Sequence, residues 1–442
     1  MELSLSVRLR DLIERSSHLR SEIIWVFVGQ ALAFSGGFVG IKVLTNMLGP
    51  AGYGKLALGM TIAGLLHMFV YGPIEQVVLR FVSVCSERQE LGTLFSLIKS
   101  THQFMGLLLL ILIICATVLT DVAVGREWAV LVGVASLFGI VSGLNATFTS
   151  IQSALRQRKI VALHQGADVW LRLGLAAGAL YLFHNTGYVA LLGFLLGTLG
   201  VTASQLVFAL RHQLVHASWN CAKSDNAAYE RLRQECFDYG RPFILFGLFG
   251  IISSYADRWI ILGFSGEEAV GGYAAMYQIA NVPIVLVGSI TNQLMVPVIF
   301  QRAGALTITS QASRSLKLLY QTVLLFASVI LGCTALAYIW SESLVGLLTA
   351  PEFANYHNMV WVLMLALGFF QLGQLLTIKG FSHNQTSTYI FPKLLQALCF
   401  GAMAFMFVKS FGIVGVAWAL CVSSIVYLVA VLAANRGVRF LG

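Results

Sequence analysis

The sequence predicts an all-α integral membrane protein of about twelve transmembrane helices in two pseudo-symmetric six-helix bundles. Three observations predict it. Of 442 residues, 58% are apolar and only 11% are charged, whereas a soluble domain carries about 25% charged residues to cover its surface. Runs of 18 or more nearly uncharged residues recur along the chain, each long enough to cross about 30 Å of hydrocarbon as a helix. Open sheet edges find no partner in lipid, so helices are how such a backbone satisfies its own polar groups. The third observation is an internal repeat.

The apolar runs place spans at 23–46, 56–80, 102–122, 128–152, 160–183 and 187–210, then at 239–263, 269–300, 316–340, 356–379, 387–409 and 411–434. The run 269–300 is long enough to tilt, to kink at Pro283 or to pass into a loop. The chain therefore divides into an N-terminal bundle (1–210), a cytoplasmic linker (211–238) and a C-terminal bundle (239–442). The linker contains Lys223, Asp225, Arg231, Arg233 and Glu235 and is expected to carry a short amphipathic helix.

Sidedness follows from Lys and Arg in alternate loops. Loops on the side of the N-terminus hold 18, including Arg8, Arg88, Arg156, Arg231 and Arg436, whereas the other side holds Lys55, Arg126 and Lys409. This bias puts both termini in the cytoplasm. It also explains a net charge of +9 through topology and attraction to anionic lipids, which removes the case for a nucleic-acid partner. Arg8, Arg10, Arg15 and Arg20 precede the first long apolar run, so no cleavable signal peptide is expected. The seven cysteines include no C-x-x-C pair and read as small apolar fillers.

The halves echo each other. LGPAGYGKLAL (Leu48–Leu58) joins spans one and two, and GEEAVGGYAAM (Gly266–Met276) joins spans seven and eight, with Gly54 matching Gly272. NTGYVALLG (Asn185–Gly193) opens span six and SFGIVGVAW (Ser410–Trp418) opens span twelve, with Gly187 matching Gly412. Each half has an even number of spans, so the repeat is parallel and its axis lies along the membrane normal. Two such bundles enclose a central cleft and can rock about it.

Charges inside the spans mark candidate function, because each costs about 2.5–3.5 kcal/mol at a helix centre. Seven are basic (Lys42, Arg80, Arg172, Arg241, Arg258, Lys379 and Lys393) and three are acidic (Glu75, Asp168 and Asp257). Arg80, Arg241, Lys379 and Lys393 lie towards the cytoplasmic ends, where long side chains snorkel to water, and Lys42 can do so on the other side. His164, Asp168 and Arg172 share one face of span five, and Asp257–Arg258 lies in the outer half of span seven. For both groups the alternative is an ion pair that only fixes packing. A basic surplus suits an anion, and arginine matches phosphate oxygens bidentately. Gln30, Asn145, Thr147, Gln278, Asn281, Asn292, Gln293, Gln371 and Gln374 are candidates to hydrogen-bond sugar hydroxyls, although such residues also join membrane helices.

No catalytic or nucleotide motif accompanies them. Gly49–Lys55 resembles a phosphate-binding loop until Leu56 replaces the required Ser or Thr. With no cofactor or nucleotide, movement of a substrate must draw on a proton or sodium gradient or on consumption of product. Glu75, Asp168, Asp257 and His164 are the ion-coupling candidates.

The LGPAGYGKLAL turn, the SYADRWIIL run (Ser254–Leu262) with VGGYAAMYQIA (Val270–Ala280), and the final FGIVGVAWA resemble the polysaccharide-transporter branch of the multidrug/oligosaccharidyl-lipid/polysaccharide (MOP) exporter superfamily, nearest to Wzx-type O-antigen and exopolysaccharide flippases. The resemblance implies a V of two bundles around a cationic lumen, as in MATE-like transporters. It also implies movement of an undecaprenyl-diphosphate-linked glycan to the periplasmic leaflet, with polymerase or assembly proteins as partners. Family members carry a basic residue shortly before the L-G-P turn; here Asn46 stands there and Lys42 one turn earlier. The rivals are a cation antiporter or peptidoglycan-precursor flippase of the same architecture, and a membrane glycan polymerase or ligase. The short outer loops, with only Glu342 and Glu352 in 341–355, argue against the enzyme.

Overall fold

The computed structural model describes residues 2–211, 226–303, 309–382 and 385–437, and these are helical almost throughout with no strand among them. Linker residues 212–225, and with them Lys223 and Asp225, lie outside the described residues, as do the side chains of Asn292 and Gln293. In chain order the α-helices are α1 Glu2–Leu66, α2 Gly72–Glu87, α3 Leu91–Ala123, α4 Arg126–Ala154, α5 Arg158–Leu182 and α6 Gly187–Arg211. They continue as α7 Asn226–Ala303, α8 Thr309–Ile339, α9 Ser341–Leu348, α10 Val360–Leu376, α11 Ile378–Ser382 and α12 Ile390–Gly437. A π-helical turn, His67–Tyr71, joins α1 to α2. Short 3-10 helices span Pro351–Met359 and Thr386–Tyr389. Among the described residues eight helical stretches are long and apolar enough to cross a membrane, and the chain is an integral membrane protein.

Three of the rods are each two helices end to end. α1 breaks at Gly49 (φ 62°), α7 at Gly266 (φ 80°) and α12 at Gly412 (φ 59°). Gly49 and Gly266 lie where the sequence places a turn between spans, and Gly412 lies at the start of span twelve. Extended ψ combined with positive φ is essentially a glycine conformation, which is why the turns need this residue. Pro50 then opens the next helix, where its missing N–H is no loss. Backbone at Pro283, by contrast, stays helical within α7.

The Gly49 and Gly266 turns occupy matching places in the two halves, and they pack on each other. A Cβ on Gly54 would run into the Glu267 carbonyl, and one on Gly271 into the Pro50 carbonyl. Glycine at both sites lets the two backbones touch. Beside them Lys55 pairs with Glu127 at 2.5 Å and Glu267 at 3.3 Å. Burial alone would pull the Lys55 ammonium down, but the two carboxylates outweigh it and hold the group above its ordinary value. The second pair of matched glycines differs in role. Gly187 starts α6 against the backbone of Gly52 to Leu56, whereas Gly412 is itself the break.

The stretch after α8, which reads in the sequence as a short loop, is a folded cap at the Gly49 end. Lys42 Nζ donates to the carbonyls of Gly346 (3.2 Å) and Thr349 (2.6 Å), which lie among the last carbonyls of α9 and have no partner within that helix. Ala350 N donates to Thr45 Oγ1 at 3.2 Å, and the Phe353 ring meets Tyr53 edge-on. At the opposite end the start of α7 docks on α2 and α3. Leu232 and Cys236 pack with Val78, Phe81, Val82, Cys85, Leu94 and Leu97. Arg88–Glu235 (2.9 Å) and Arg231–Glu90 rim that cluster. The two halves are therefore tied at both ends, and the space between lies mid-bundle.

Candidate substrate cavity between the two halves

A cavity of about 660 Å³ lies between the halves. α1, α5 and α6 line one side, through Gln30, Arg172 and Phe194 among others, and α7 lines the other with Ser254, Arg258, Gln278 and Asn281. Tyr53, Met60 and Met68 continue the wall from the N-terminal half. The lining mixes amides, hydroxyls, two guanidinium groups and broad apolar surface.

Glycine packing sets the position of Arg172. Gly193 and Gly197 bring α6 so close to Ala176 and Arg172 that a Cβ at either would collide with α5 backbone. On the opposite side Gly36 receives the Val169 side chain, and the Trp170 indole N–H donates to Leu32 O at 3.2 Å. Held this way, α5 turns Asp168 towards α6, where Thr198 Oγ1 donates to it at 2.8 Å. Arg172 Nη2 reaches the other oxygen of Asp168 at 2.6 Å, across one helical turn. The Asp168 side chain is 9% exposed and that of Arg172 25%. The acid is sealed behind the wall while the base faces the cavity.

Arg258 is braced differently. Its Nη1 lies 3.2 Å from both Asp257 Oδ1 and the Ser254 carbonyl, and its backbone N–H donates to the same carboxylate at 2.8 Å. The guanidinium carbon sits 4.6 Å from the centre of the Tyr277 ring, a cation–π contact that fixes its plane. Each half thus contributes one arginine to the cavity, each steadied by its own aspartate. What the cavity presents is two oriented guanidinium groups whose charge is locally balanced.

The family comparison bears on residues 19–302, which match the family described as polysaccharide biosynthesis protein. The chain belongs to that family. It is thereby a member of the MOP exporter superfamily, and its activity is transport rather than catalysis. Solved structures show the same fold at low identity. A lipid II flippase, MurJ, in an inward closed conformation superposes with a TM-score of 0.67 at 14% identity, covering 93% of this chain and 87% of its own. The Vibrio cholerae MATE transporter VcmN in its bent form gives 0.64 at 14% identity over 95% and 98%. A MOP superfamily transporter from Pyrococcus furiosus gives 0.62 at 14% identity over 95% and 94%. No curated protein sequence matches.

The structure gathers some of the residues singled out in the sequence and separates others. Arg172, Arg258, Gln30, Gln278 and Asn281 line the cavity, and Asp168 and Asp257 stand directly behind its two arginines. Gln371 lines a smaller adjoining cavity. Lys42 is spent on the carbonyls at the end of α9. Arg80 stacks on Tyr239 at 4.8 Å, Arg241 points towards Asp238 at 4.0 Å, and Lys379 Nζ donates to Asn435 O at 2.6 Å. His164 shares the α5 face with Asp168, but its ring contacts Ile160 O (2.9 Å) and Ser204 Oγ (3.3 Å) rather than the acid. Gln374 accepts from the Tyr427 hydroxyl at 2.7 Å, and Asn145 Oδ1 and the Thr147 hydroxyl face into the N-terminal half. Glu75 Oε1 is buried with no hydrogen-bond donor among the described residues, and His67 Nδ1 lies 3.6 Å away.

Lys393 corrects the sequence reading. Instead of snorkelling to water it is 7% exposed, 4.2 Å from the Phe370 ring centre and 5.2 Å from that of Tyr427. Its neighbours come from α10 and α12, which no count along the chain brings together. The π-turn His67–Tyr71 also escapes sequence reading. It places Met68 on the cavity wall and against Gly247 and Gly250 of α7. Unusually close Met–Gly contacts of that kind carry no local sequence signal.

Proposed function

We propose that this transporter is a flippase that carries an undecaprenyl-diphosphate-linked oligosaccharide from the cytoplasmic to the periplasmic leaflet of a bacterial inner membrane. The observation that carries the reading is the pair of braced arginines, Arg172 and Arg258, one from each half, on a single cavity. A diphosphate offers several anionic oxygens, and two guanidinium groups held in fixed planes match it bidentately. Gln30, Gln278 and Asn281 beside them are placed to replace water on sugar hydroxyls, which are costly to carry unpaired through hydrocarbon. The lysine and arginine bias of the loops orients the cavity and puts both termini in the cytoplasm.

Under this reading the interlocked Gly54 and Gly271 turns and the Lys42 contacts are the closed periplasmic end, which must part for release. Glu75 is the foremost coupling group. Its buried oxygen has no donor in the described residues and lies beside the π-turn, a kind of irregularity common at functional sites. Proton or sodium uptake there supplies the bias that no nucleotide site provides.

The test is a deletion strain whose lipids are extracted and examined for a lipid-linked repeat unit held on the cytoplasmic leaflet. Accumulation with loss of surface glycan, both reversed by the wild-type gene, is the expected outcome. A repeat unit that still reaches the periplasm in the deletion strain would end the assignment.

A further inference from the structure

A second cavity, of about 200 Å³, lies within the C-terminal half and abuts the first, sharing Ser254, Tyr277, Asn281 and Val285 with it. At roughly 30 Å³ per water this is room for six or seven waters, about the size of one sugar ring. α7, α10 and α12 supply its walls. Its polar lining is Ser253, Ser254, Asn281, Gln371, Gln396 and Ser424, with the Phe370 ring and Tyr277 as the flat apolar faces. Flat aromatic surface flanked by amides is the chemistry that a sugar ring fits: its C–H face stacks and its hydroxyls bond sideways.

Two features make this pocket selective. Ser424 is 1% exposed and its hydroxyl has no partner among the described residues. Lys393 Nζ donates to Gln396 Oε1 at 3.1 Å. A lysine has donors only, so this bond fixes the orientation of the amide and leaves Gln396 Nε2 as the atom free to face the pocket. The wall thus offers donors, Gln396 N–H and Ser424 O–H, in front of a buried ammonium. Among the described residues no carboxylate pairs with that ammonium; its contacts are Gln396 and the Phe370 and Tyr427 rings. A buried charge without a counter-charge is expensive and is relieved by an anion brought close to it.

We propose that this side pocket receives an acidic sugar of the lipid-linked glycan, its carboxylate held by Gln396 and Ser424 with the Lys393 ammonium behind them. The proposal rests on the flippase reading and deepens it: the main cavity takes the diphosphate, and the side pocket reads one sugar. Lys393 is a positioning residue, acting through the amide it orients.

The experiment uses the full-length protein in lipid nanodiscs and two probes, farnesyl-diphosphate-linked glucuronic acid and farnesyl-diphosphate-linked glucose, with binding followed calorimetrically. Wild type should bind the acid at least tenfold more tightly than the neutral sugar. Lys393→Gln and Ser424→Ala should each bring the two affinities to within about threefold of each other, mainly through weaker binding of the acid. Ser424→Ala removes a single oxygen, so its result stands even if Lys393→Gln folds poorly. Equal binding of both probes by wild type, or an acid preference that survives Ser424→Ala and Lys393→Gln, overturns the pocket assignment and leaves the flippase reading intact. Failure of wild type to bind either probe overturns both.

Discussion

Replacing Arg172 with Gln separates a binding role from a structural one. The side chain stands between sealed Asp168 and the cavity, so its loss has two consequences of different size. One is structural: removing a partner from a buried ion pair costs 3–5 kcal/mol when the remaining charge is uncompensated. Thr198 keeps its bond to Asp168 and the Arg172 side chain is 25% exposed, which brings the expected loss to about 2 kcal/mol. The other is functional: a hydrogen bond to a charged group is worth about 1.5–3 kcal/mol, or roughly 10- to 150-fold in affinity. The double variant Asp168→Asn/Arg172→Gln removes both charges and should recover thermal stability to within about 1 kcal/mol of wild type. If Arg172 grips the diphosphate, that stable double variant still binds farnesyl-diphosphate-linked glucose at least tenfold more weakly. Melting in detergent and calorimetric binding read the two effects independently. A double variant that melts and binds like wild type would show that Arg172 only braces α5, and the binding role would be refuted.

Other substitutions test the remaining parts. Gly271→Val places a side chain against the Pro50 carbonyl, so the glycine-mediated seal cannot form; transport should be lost, and a cysteine introduced at Thr61 should become reactive to an impermeant periplasmic thiol reagent. Lys42→Met leaves the Gly346 and Thr349 carbonyls without their donor, at a cost of about 1 kcal/mol; labelling of a cysteine at Tyr356 should rise while the main cavity still binds substrate. Glu75→Gln replaces an oxygen that has no donor among the described residues, so melting should move by less than about 1 kcal/mol, whereas acceleration of transport by an imposed ion gradient should disappear. The Lys55 link has a definite pH signature. Its folded-state value lies above the ordinary one, so its stabilisation is complete through neutral pH and is lost only as pH rises past the usual lysine range. Wild type and Lys55→Gln should therefore converge in melting temperature only in strong base.

Much of the fold was legible because lipid leaves the backbone few choices. Apolar runs and loop charges report where helices start and stop, and a glycine after such a run reports a turn: Gly49, Gly266 and Gly412 all fall where those runs meet. The contact between the Gly54 and Gly271 turns was half legible, since the repeat paired the segments but not their meeting across the interface. Within the site, Arg172 stood out because a mid-span charge is costly and cannot easily reach water, and Arg258 because it lies within a span next to an acid. Lys393 misled because distance from a helix end is a one-dimensional measure. Whether a lysine snorkels depends on which rings lie above it; Phe370 belongs to α10, and Tyr427 lies beyond the Gly412 break of α12. Lys42 misled in a similar way: its partners, the carbonyls of α9, exist only because residues 341–348 form a helix that the short loop length concealed. The α5–α6 contact was written in Gly193 and Gly197, yet in a chain with 42 glycines their role emerges only from the partner surface.

The central claim is that the two-arginine cavity moves a diphosphate-linked glycan between leaflets. It is tested most directly in proteoliposomes containing purified protein and farnesyl-diphosphate-linked glucose, with a membrane-impermeant glycosidase added outside to count exposed sugar. Wild type should expose the inner-leaflet pool under an imposed ion gradient, and the stable Asp168→Asn/Arg172→Gln variant should leave that pool protected. Equal protection in wild-type and protein-free vesicles would contradict the claim.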